Sequence, residues 1–496
     1  MATPSAPAKA LSHLLERYRV PLAWLAVFAA CYFFVDPIAL TMRAESPGFA
    51  LYLISVITIV AIGIASRYSA NYLPVPSFVL AIIFGFLAGP LLAPLVGSPV
   101  ALSYVVMTAA LLILFQGGLE TERGSFFRLL PKIAALAVPG VVFSAIIFAG
   151  VLWGLGYAFG AAITTVTAVL LSVAVASTDP AAIMPIMDEL EFGANRGIKD
   201  IVVSESALND VVGTLLTIAL LGAATRGVMA HDVLGSFGVL LSRDSAIEFA
   251  RQAGYGALGG LAGFGLMLLQ MRVKKRHALT HGEDVLFFVV IALIAGFVAY
   301  VLGGSLFLAA FIAGLLFHIE EHHAEAAAKR RHLEVFERHF GFFIDGVAKP
   351  AIFGLLGALV DWHALVAYAP IGFAAAVLFV AVVRPVSVWL SLAAFTRFGR
   401  DRMTAKQVWF IAAIRATGVI PAMLLITIEN LDIPGTEALL PIGMWVILGT
   451  LASGPLLAQK AALWCKVAQP KSAAQPAGAD AGPRLSAPAF AAASSD

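Results

Sequence analysis

Runs of roughly 20 apolar residues recur along the whole chain, and a run of that length is what an α-helix needs to cross a bilayer. The chain has 496 residues, 60% of them hydrophobic and 12% charged, too few charges to cover so much apolar surface in water. The expected fold class is therefore an all-α membrane protein, with about 13–14 transmembrane helices and no nucleic-acid partner. Fourteen apolar segments can be read: Val20–Leu40, Gly48–Ser66, Pro76–Gly97, Ala101–Leu119, Ile133–Phe159, Ala161–Leu190, Ile201–Gly222, Ala246–Met271, Asp284–Val301, Gly303–His318, Gly341–Val360, Leu365–Phe395, Gln407–Ile428 and Leu439–Leu463. No cleavable secretory signal is visible, because the first run continues past Leu40 without a small-residue cleavage site. The two cysteines, Cys31 and Cys465, suggest neither a disulfide framework nor a metal site.

Basic residues set the expected orientation. With the N-terminus inside, about 25 of the 32 Lys and Arg fall on the inner side, and only Arg43, Arg226 and Arg243 fall outside. Both termini are thus expected in the cytoplasm of a cell whose inner membrane holds the chain. Residues 1–19 form the N-terminal stretch and 20–465 the membrane domain. Residues 466–496, rich in Ala, Pro and Ser, are expected to be a disordered tail. Ala230–Ser242 is expected to lie along the outer surface as a short helix.

Ionisable residues inside spans cost at least about 2.5 kcal/mol and are functional hypotheses by default. The sixth segment is interrupted by Ser177-Thr178-Asp179-Pro180, with a second proline at Pro185. Proline removes a backbone donor and disfavours the helical conformation of the residue before it, so Asp179 marks a locally unwound helix lining a polar cavity. A plain proline kink with a solvated aspartate is the alternative. In the seventh segment Ser204-Glu205-Ser206-Ala207-Leu208-Asn209-Asp210 puts Asp210 about ten residues into the span, roughly 15 Å deep and near the midplane. Helical spacing sets Ser206 and Asp210 on one face and Glu205 and Asn209 on the next, so these groups face a cavity or one another. A buried structural hydrogen-bond network is the competing explanation. The twelfth and thirteenth segments carry Arg384-Pro385 and Arg415-Ala416-Thr417-Gly418-Val419-Ile420-Pro421. A buried arginine needs a carboxylate, and Glu205 is the best candidate, with Arg384 preferred over Arg415. The interruption at Gly418/Pro421 mirrors the one at Asp179-Pro180 in the other half of the chain. Paired interrupted helices point to a binding site built from an inverted repeat.

At these residues the sequence resembles the NhaP/NHE-type sodium/proton antiporters of the monovalent cation:proton antiporter-1 family. The matches are Ser-Thr-Asp-Pro at 177–180, Glu-Ser-x-x-Asn-Asp at 205–210 and Arg-Pro at 384–385. Weaker support comes from Phe115-Gln116-Gly117-Gly118-Leu119-Glu120 and from Phe307–Leu315. The resemblance runs from about residue 50 to 460. It implies a homodimer, an inverted-repeat antiporter fold with two unwound crossing helices, and elevator-like movement of a core domain. It also implies that Asp210 carries the ion, with Asp179, Thr178, Ser206 and Asn209 around the cation and Na+ held at Asp210, Asp179 and Ser206. Glu205 and Arg384, with Arg415 nearby, would form the structural ion pair. Gln116 departs from the family, standing where many relatives have an acid, and Arg415 is followed by Ala-Thr rather than Gly-Ala.

Burial disfavours the charged form of a carboxylate, so Asp210 is expected to hold either a proton or a dehydrated cation, but not both at once. With asparagine at 209, a single titrating group implies electroneutral one-for-one exchange. Na+ is the expected cargo, Li+ is also compatible, and K+/H+ exchange on the same scaffold is the alternative. A cation channel or a receptor built on this scaffold is the rival from another class. No cofactor is expected beyond the transported ions. No nucleophile–base pair or zinc-ligand set lies within the spans, so an enzyme is not expected. His318-Ile319-Glu320-Glu321-His322-His323 could bind a metal or sense pH, although a solvated charged loop is the ordinary explanation. Lys349 and Asp345 are expected to pair with each other or to snorkel.

Overall fold

The computed structural model describes residues 19–30, 49–73, 75–121, 123–161, 163–179, 187, 190–276, 285–322, 339–398 and 402–470. In lipid a backbone must satisfy its own polar groups, and apolar runs of this length do so as helices. In chain order these are α1 (Arg19–Ala30), α2 (Phe49–Ala70), α3 (Ser77–Leu87), α4 (Gly89–Val96), α5 (Pro99–Glu120), α6 (Arg123–Ala137), α7 (Pro139–Phe159) and α8 (Thr165–Ala174). There follow α9 (Arg196–Thr225), α10 (Val233–Gly238), α11 (Arg243–Arg276), α12 (Val285–Leu302), α13 (Leu306–His322) and α14 (His339–Ala358). The chain then continues through α15 (Trp362–Ala367), α16 (Ala369–Arg397), α17 (Ala405–Ala413), α18 (Val419–Glu429) and α19 (Leu439–Trp464).

Among the described residues seven helices are long and apolar enough to span a membrane, or nine if each of two bent pairs counts once. The expected 13–14 spans are reached only by counting short and broken apolar helices as well. One bent pair is α3 and α4, which meet at 84° where Gly89-Pro90 follow Ala88. Proline explains that break, since it removes the donor that would continue the ladder. Elsewhere the same residue starts helices: Pro99 and Pro139 open α5 and α7, where their missing N–H costs nothing. The stretch expected along the outer surface contains α10 followed by a short 3-10 turn at Val239–Leu241.

Two helices carry a π-helical turn of five residues, Ile344–Ala348 in α14 and Phe379–Val383 in α16. Each is followed at once by a buried basic residue and then a proline, Lys349-Pro350 and Arg384-Pro385. The N–H of Lys349 donates to Ile344 O, and that of Arg384 to Phe379 O. The extra residue in each turn rotates the basic side chain relative to a regular helix.

The bundle is knitted by close backbone approaches at glycine. A Cβ on Gly118 of α5 would overlap Phe311 O of α13, and one on Gly314 of α13 would overlap Phe115 O of α5. Small residues that let backbones touch are the common device for helix association in lipid. Apolar side chains such as Tyr157, Leu286 and Phe373 stand exposed on the outside, where a bilayer would cover them.

Residues 466–470, expected to belong to the tail, are ordered against the bundle. Gln469–Pro470 pairs antiparallel with Leu190–Glu191, Val467 and Ala468 are buried, and Asn195 Nδ2 donates to Val467 O at 3.1 Å. Residues 471–496, and most of 1–48, lie outside the described residues.

The glycine contacts yield a paired expectation. Gly314→Ile should destabilise the detergent-purified protein by about 1–3 kcal/mol or more through overpacking, seen as a lower unfolding temperature and yield. Gly150→Ile, where a Cβ meets open space, should leave both nearly unchanged.

Candidate functional site

The helical ladder of α8 stops at Ala174, and Val175–Asp179 continue without helical structure. Across from them Ile414–Gly418 separate α17 from α18, again without helical structure. The two open stretches touch. The N–H of Asp179 donates to Ala416 O at 2.7 Å, and Arg415 Nη2 donates to Val175 O at 2.6 Å. A Cβ on Gly418 would overlap the Asp179 side chain, so glycine is required for this approach. The N–H of Thr417 is taken up by Thr450 Oγ1 at 3.1 Å. Backbone groups freed from the helices are thus satisfied by protein, which is the condition for irregular backbone at membrane depth. Pro180 and Pro185 lie outside the described residues.

Helix α9 runs past this crossing and supplies the polar cluster. Asn209 is saturated by it: Oδ1 accepts from the Thr178 N–H at 3.2 Å, and Nδ2 donates to Thr178 Oγ1 at 2.7 Å and Glu205 Oε1 at 2.9 Å. Thr178 Oγ1 and Ser206 Oγ share a hydrogen bond of 2.8 Å. Thr178, Ser206 and Asn209 therefore tie the open stretch to α9. Asp210 and Asp179 are both buried, at 8% and 7% exposure, and each lies in the other's electrostatic field. Asp210 Oδ1 and Thr417 Oγ1 are buried without a hydrogen-bond partner among the described residues, and the Ser177 hydroxyl lies against Asp210. Neither Ser177 nor Thr417 is among the site residues that the sequence singles out, although both stand in the strings that mark the two interruptions.

Arg384 places both terminal nitrogens on Glu205, Nη1 to Oε1 at 3.1 Å and Nη2 to Oε2 at 3.2 Å, with both side chains almost wholly buried. The two-pronged geometry suits a guanidinium and a carboxylate. Arg415, grouped with this pair on sequence, behaves differently. Besides its bond to Val175 it lies over the Phe379 ring, 4.2 Å from the centroid, and among the described residues it has no carboxylate within ion-pairing distance. Its place on the open stretch after α17 directs it to the carbonyl that α8 leaves behind. Lys349 Nζ donates to Asp345 Oδ1 at 2.7 Å. The side chains of His318–His323 lie outside the described residues.

A profile of the family described as "Sodium/hydrogen exchanger, transmembrane" matches residues 54–459, which spans both open stretches, α9 and Arg384. The chain belongs to this family. The family is one of transmembrane exchangers, in keeping with the long apolar helices described above. It is similar to the K(+)/H(+) antiporter NhaP2 of Shewanella oneidensis, 28% identical over 364 residues, covering 70% of this chain and 55% of that protein. It is also similar to the K(+)/H(+) antiporter NhaP of Alkalimonas amylolytica, 27% identical over 432 residues, covering 84% of this chain and 66% of the relative. The chain thus spans between about half and two thirds of the length of these curated relatives. Its fold matches that of the sodium proton antiporter MjNhaP1 from Methanocaldococcus jannaschii, with a TM-score of 0.65 at 19% identity. That match covers 84% of this chain and 99% of the other.

The ion pair makes a stability prediction for this exchanger-family protein. Arg384→Ala strands a buried carboxylate and should cost about 3–5 kcal/mol, read as a lower unfolding temperature in detergent. The double variant Arg384→Ala/Glu205→Ala should recover much of that loss. Equal instability of the double variant would show that the arginine stabilises the fold by other means.

Proposed function

We propose that the chain exchanges a monovalent cation for a proton by alternating access, with Asp210 as the shared carrier. The observation that carries this reading is a buried carboxylate with an unpartnered oxygen, set beside a second buried carboxylate at the meeting of two broken helices. Two buried carboxylates in each other's electrostatic field cannot both stay bare, so a proton or a cation has to neutralise them. Asp179, Ser206 and Thr178, together with Asn209 as the group that positions them, complete the cation's surroundings. The Glu205–Arg384 pair neutralises itself and takes no part in the exchange. Movement with Asp210 uncovered would carry a bare charge past the hydrophobic barrier, a cost that makes exchange obligatory. One exchanging group implies one proton per monovalent cation and no net charge movement. The protein acts as a homodimer in the bacterial inner membrane with both termini in the cytoplasm, in keeping with the placement of its basic residues.

Na+ is the cation favoured by the resemblance of the Thr-Asp-Pro and Glu-Ser-x-x-Asn-Asp motifs, with Li+ also accommodated. K+ is a second reading, favoured because both named relatives by sequence are K(+)/H(+) antiporters. Dequenching of a pH-sensitive dye in everted vesicles, on adding Na+, Li+ or K+ in turn, separates these readings. Asp210→Asn should reduce the cation-dependent signal by at least about tenfold, the factor that corresponds to about 1.4 kcal/mol of lost stabilisation. Exchange retained with ordinary apparent affinity would remove Asp210 from the mechanism. In reconstituted vesicles at zero starting voltage no cation-driven current should appear, and a current would overturn the one-for-one stoichiometry.

A further inference from the structure

A pocket of about 480 Å³ opens at the end of the bundle where α2, α5 and α14 converge, lined by Arg67, Gln116, Glu120, Phe340, Phe342 and Asp345 among others. Its wall has polar contacts of its own. Gln116 Nε2 donates to Glu120 Oε1 at 2.6 Å, whereas Gln116 Oε1 is buried and has no hydrogen-bond partner among the described residues. Arg67 lies over the Phe342 ring, 4.4 Å from the centroid. Asp345 stands half exposed in this pocket, with 51% of its side chain accessible, and it holds the ammonium of Lys349, whose side chain is only 6% accessible. The pair therefore reaches from an open pocket into the dry interior.

What lies on the interior side gives the lysine its interest. Asp179 and Asp210 there, together with Glu120 on the pocket wall, are within electrostatic reach of Lys349. Its helix, α14, packs against α18, which follows the open stretch carrying Ala416 and Gly418. The π-helical turn Ile344–Ala348 sets the direction of Lys349 just as the turn Phe379–Val383 sets that of Arg384. Arg384 is neutralised by a buried, two-pronged carboxylate. Lys349 has instead, among the described residues, an ion pair with a half-exposed acid. Its positive charge also acts on the buried carboxylates where the exchanged cation has to bind.

We propose that Lys349 is a positioning residue for cation exchange, a tethered positive charge that opposes cation binding at Asp179 and Asp210 and so sets the concentration at which exchange half-saturates. This rests on the exchange reading above. A fixed ammonium and an incoming cation draw on the same negative potential, and inside a protein that competition reaches further than in water. Asp345 holds the ammonium toward the pocket. Without that tether the charge acts more fully on the two interior carboxylates.

The test uses the full chain reconstituted in proteoliposomes, with the KM for Na+ and for K+ measured at fixed pH beside the maximal rate. Lys349→Met, which keeps length and removes charge, should lower KM about fivefold, on the order expected for removing one unit charge from a partly screened interior. Lys349→Arg should stay within about twofold of the unaltered protein on the same grounds. Asp345→Asn should shift KM upward. Cation-dependent protection against thermal unfolding in detergent should move in the same directions without any transport being required. An unchanged KM in Lys349→Met, with only yield or maximal rate reduced, would make the pair purely structural and overturn the proposal. Should Lys349→Met fail to fold, Asp345→Asn decides, since its side chain is half exposed; unchanged KM and unchanged protection overturn the proposal there too. If the unaltered protein shows no exchange, or Asp210→Asn keeps it, the exchange reading falls and takes this inference with it.

Discussion

One backbone hydrogen bond, from the Asp179 N–H to Ala416 O, joins two open stretches at which helices of this protein give way. Inside a bilayer an open peptide group has no water to turn to, so a broken span is stable only where another part of the protein completes it. Here each break completes the other. Arg415 extends the same arrangement by donating to Val175 O, and Gly418 makes it possible by carrying no Cβ where Asp179 lies. The positions of Asp179 and, through Thr178 and Asn209, of the polar face of α9 follow from that crossing.

The interior electrostatics divide between groups that cancel one another and groups that remain open. Glu205 and Arg384 cancel in a two-pronged pair whose geometry offsets much of the cost of burying it. Asn209 stands beside them and connects Glu205 to Thr178, joining a structural charge to the open stretch after α8. Asp210 retains a buried oxygen without a hydrogen bond in the same helix, one turn further on. A site that bound its own residues completely would have nothing left for an ion. A site with nothing bound would not hold its shape, and α9 meets both needs within six residues.

Much of this arrangement is legible in the sequence because lipid makes charge and proline conspicuous. Asp179 before Pro180, Asp210 deep in an apolar run, and Arg384 with Glu205 at similar depth all stand out for that reason. Arg415 was misgrouped because depth alone cannot tell a guanidinium that faces a carboxylate from one that faces a freed carbonyl. The π-helical turns left no signature beyond the dipeptides Lys349-Pro350 and Arg384-Pro385, since a single inserted residue does not disturb apolar periodicity enough to be seen. The pocket around Gln116, Glu120 and Asp345 was invisible for a related reason: its residues come from helices far apart in the chain. The pairing of residues 190–191 with 469–470 could not be anticipated either, because two-residue strands carry no pattern.

That last pairing has a mechanical consequence. The segment Leu190–Asn195, which follows the break after α8, is fastened to the chain beyond α19 by the strand pair and by Asn195 on Val467 O. Asn195 is in turn held by Gln407 Nε2 at 2.9 Å, in the capping box that starts α17. Three helix ends, the start of α9, the start of α17 and the end of α19, thereby share one knot. A shift of any one of these ends therefore works against its bonds to the other two, which couples the last span to the helix that bears Asp210.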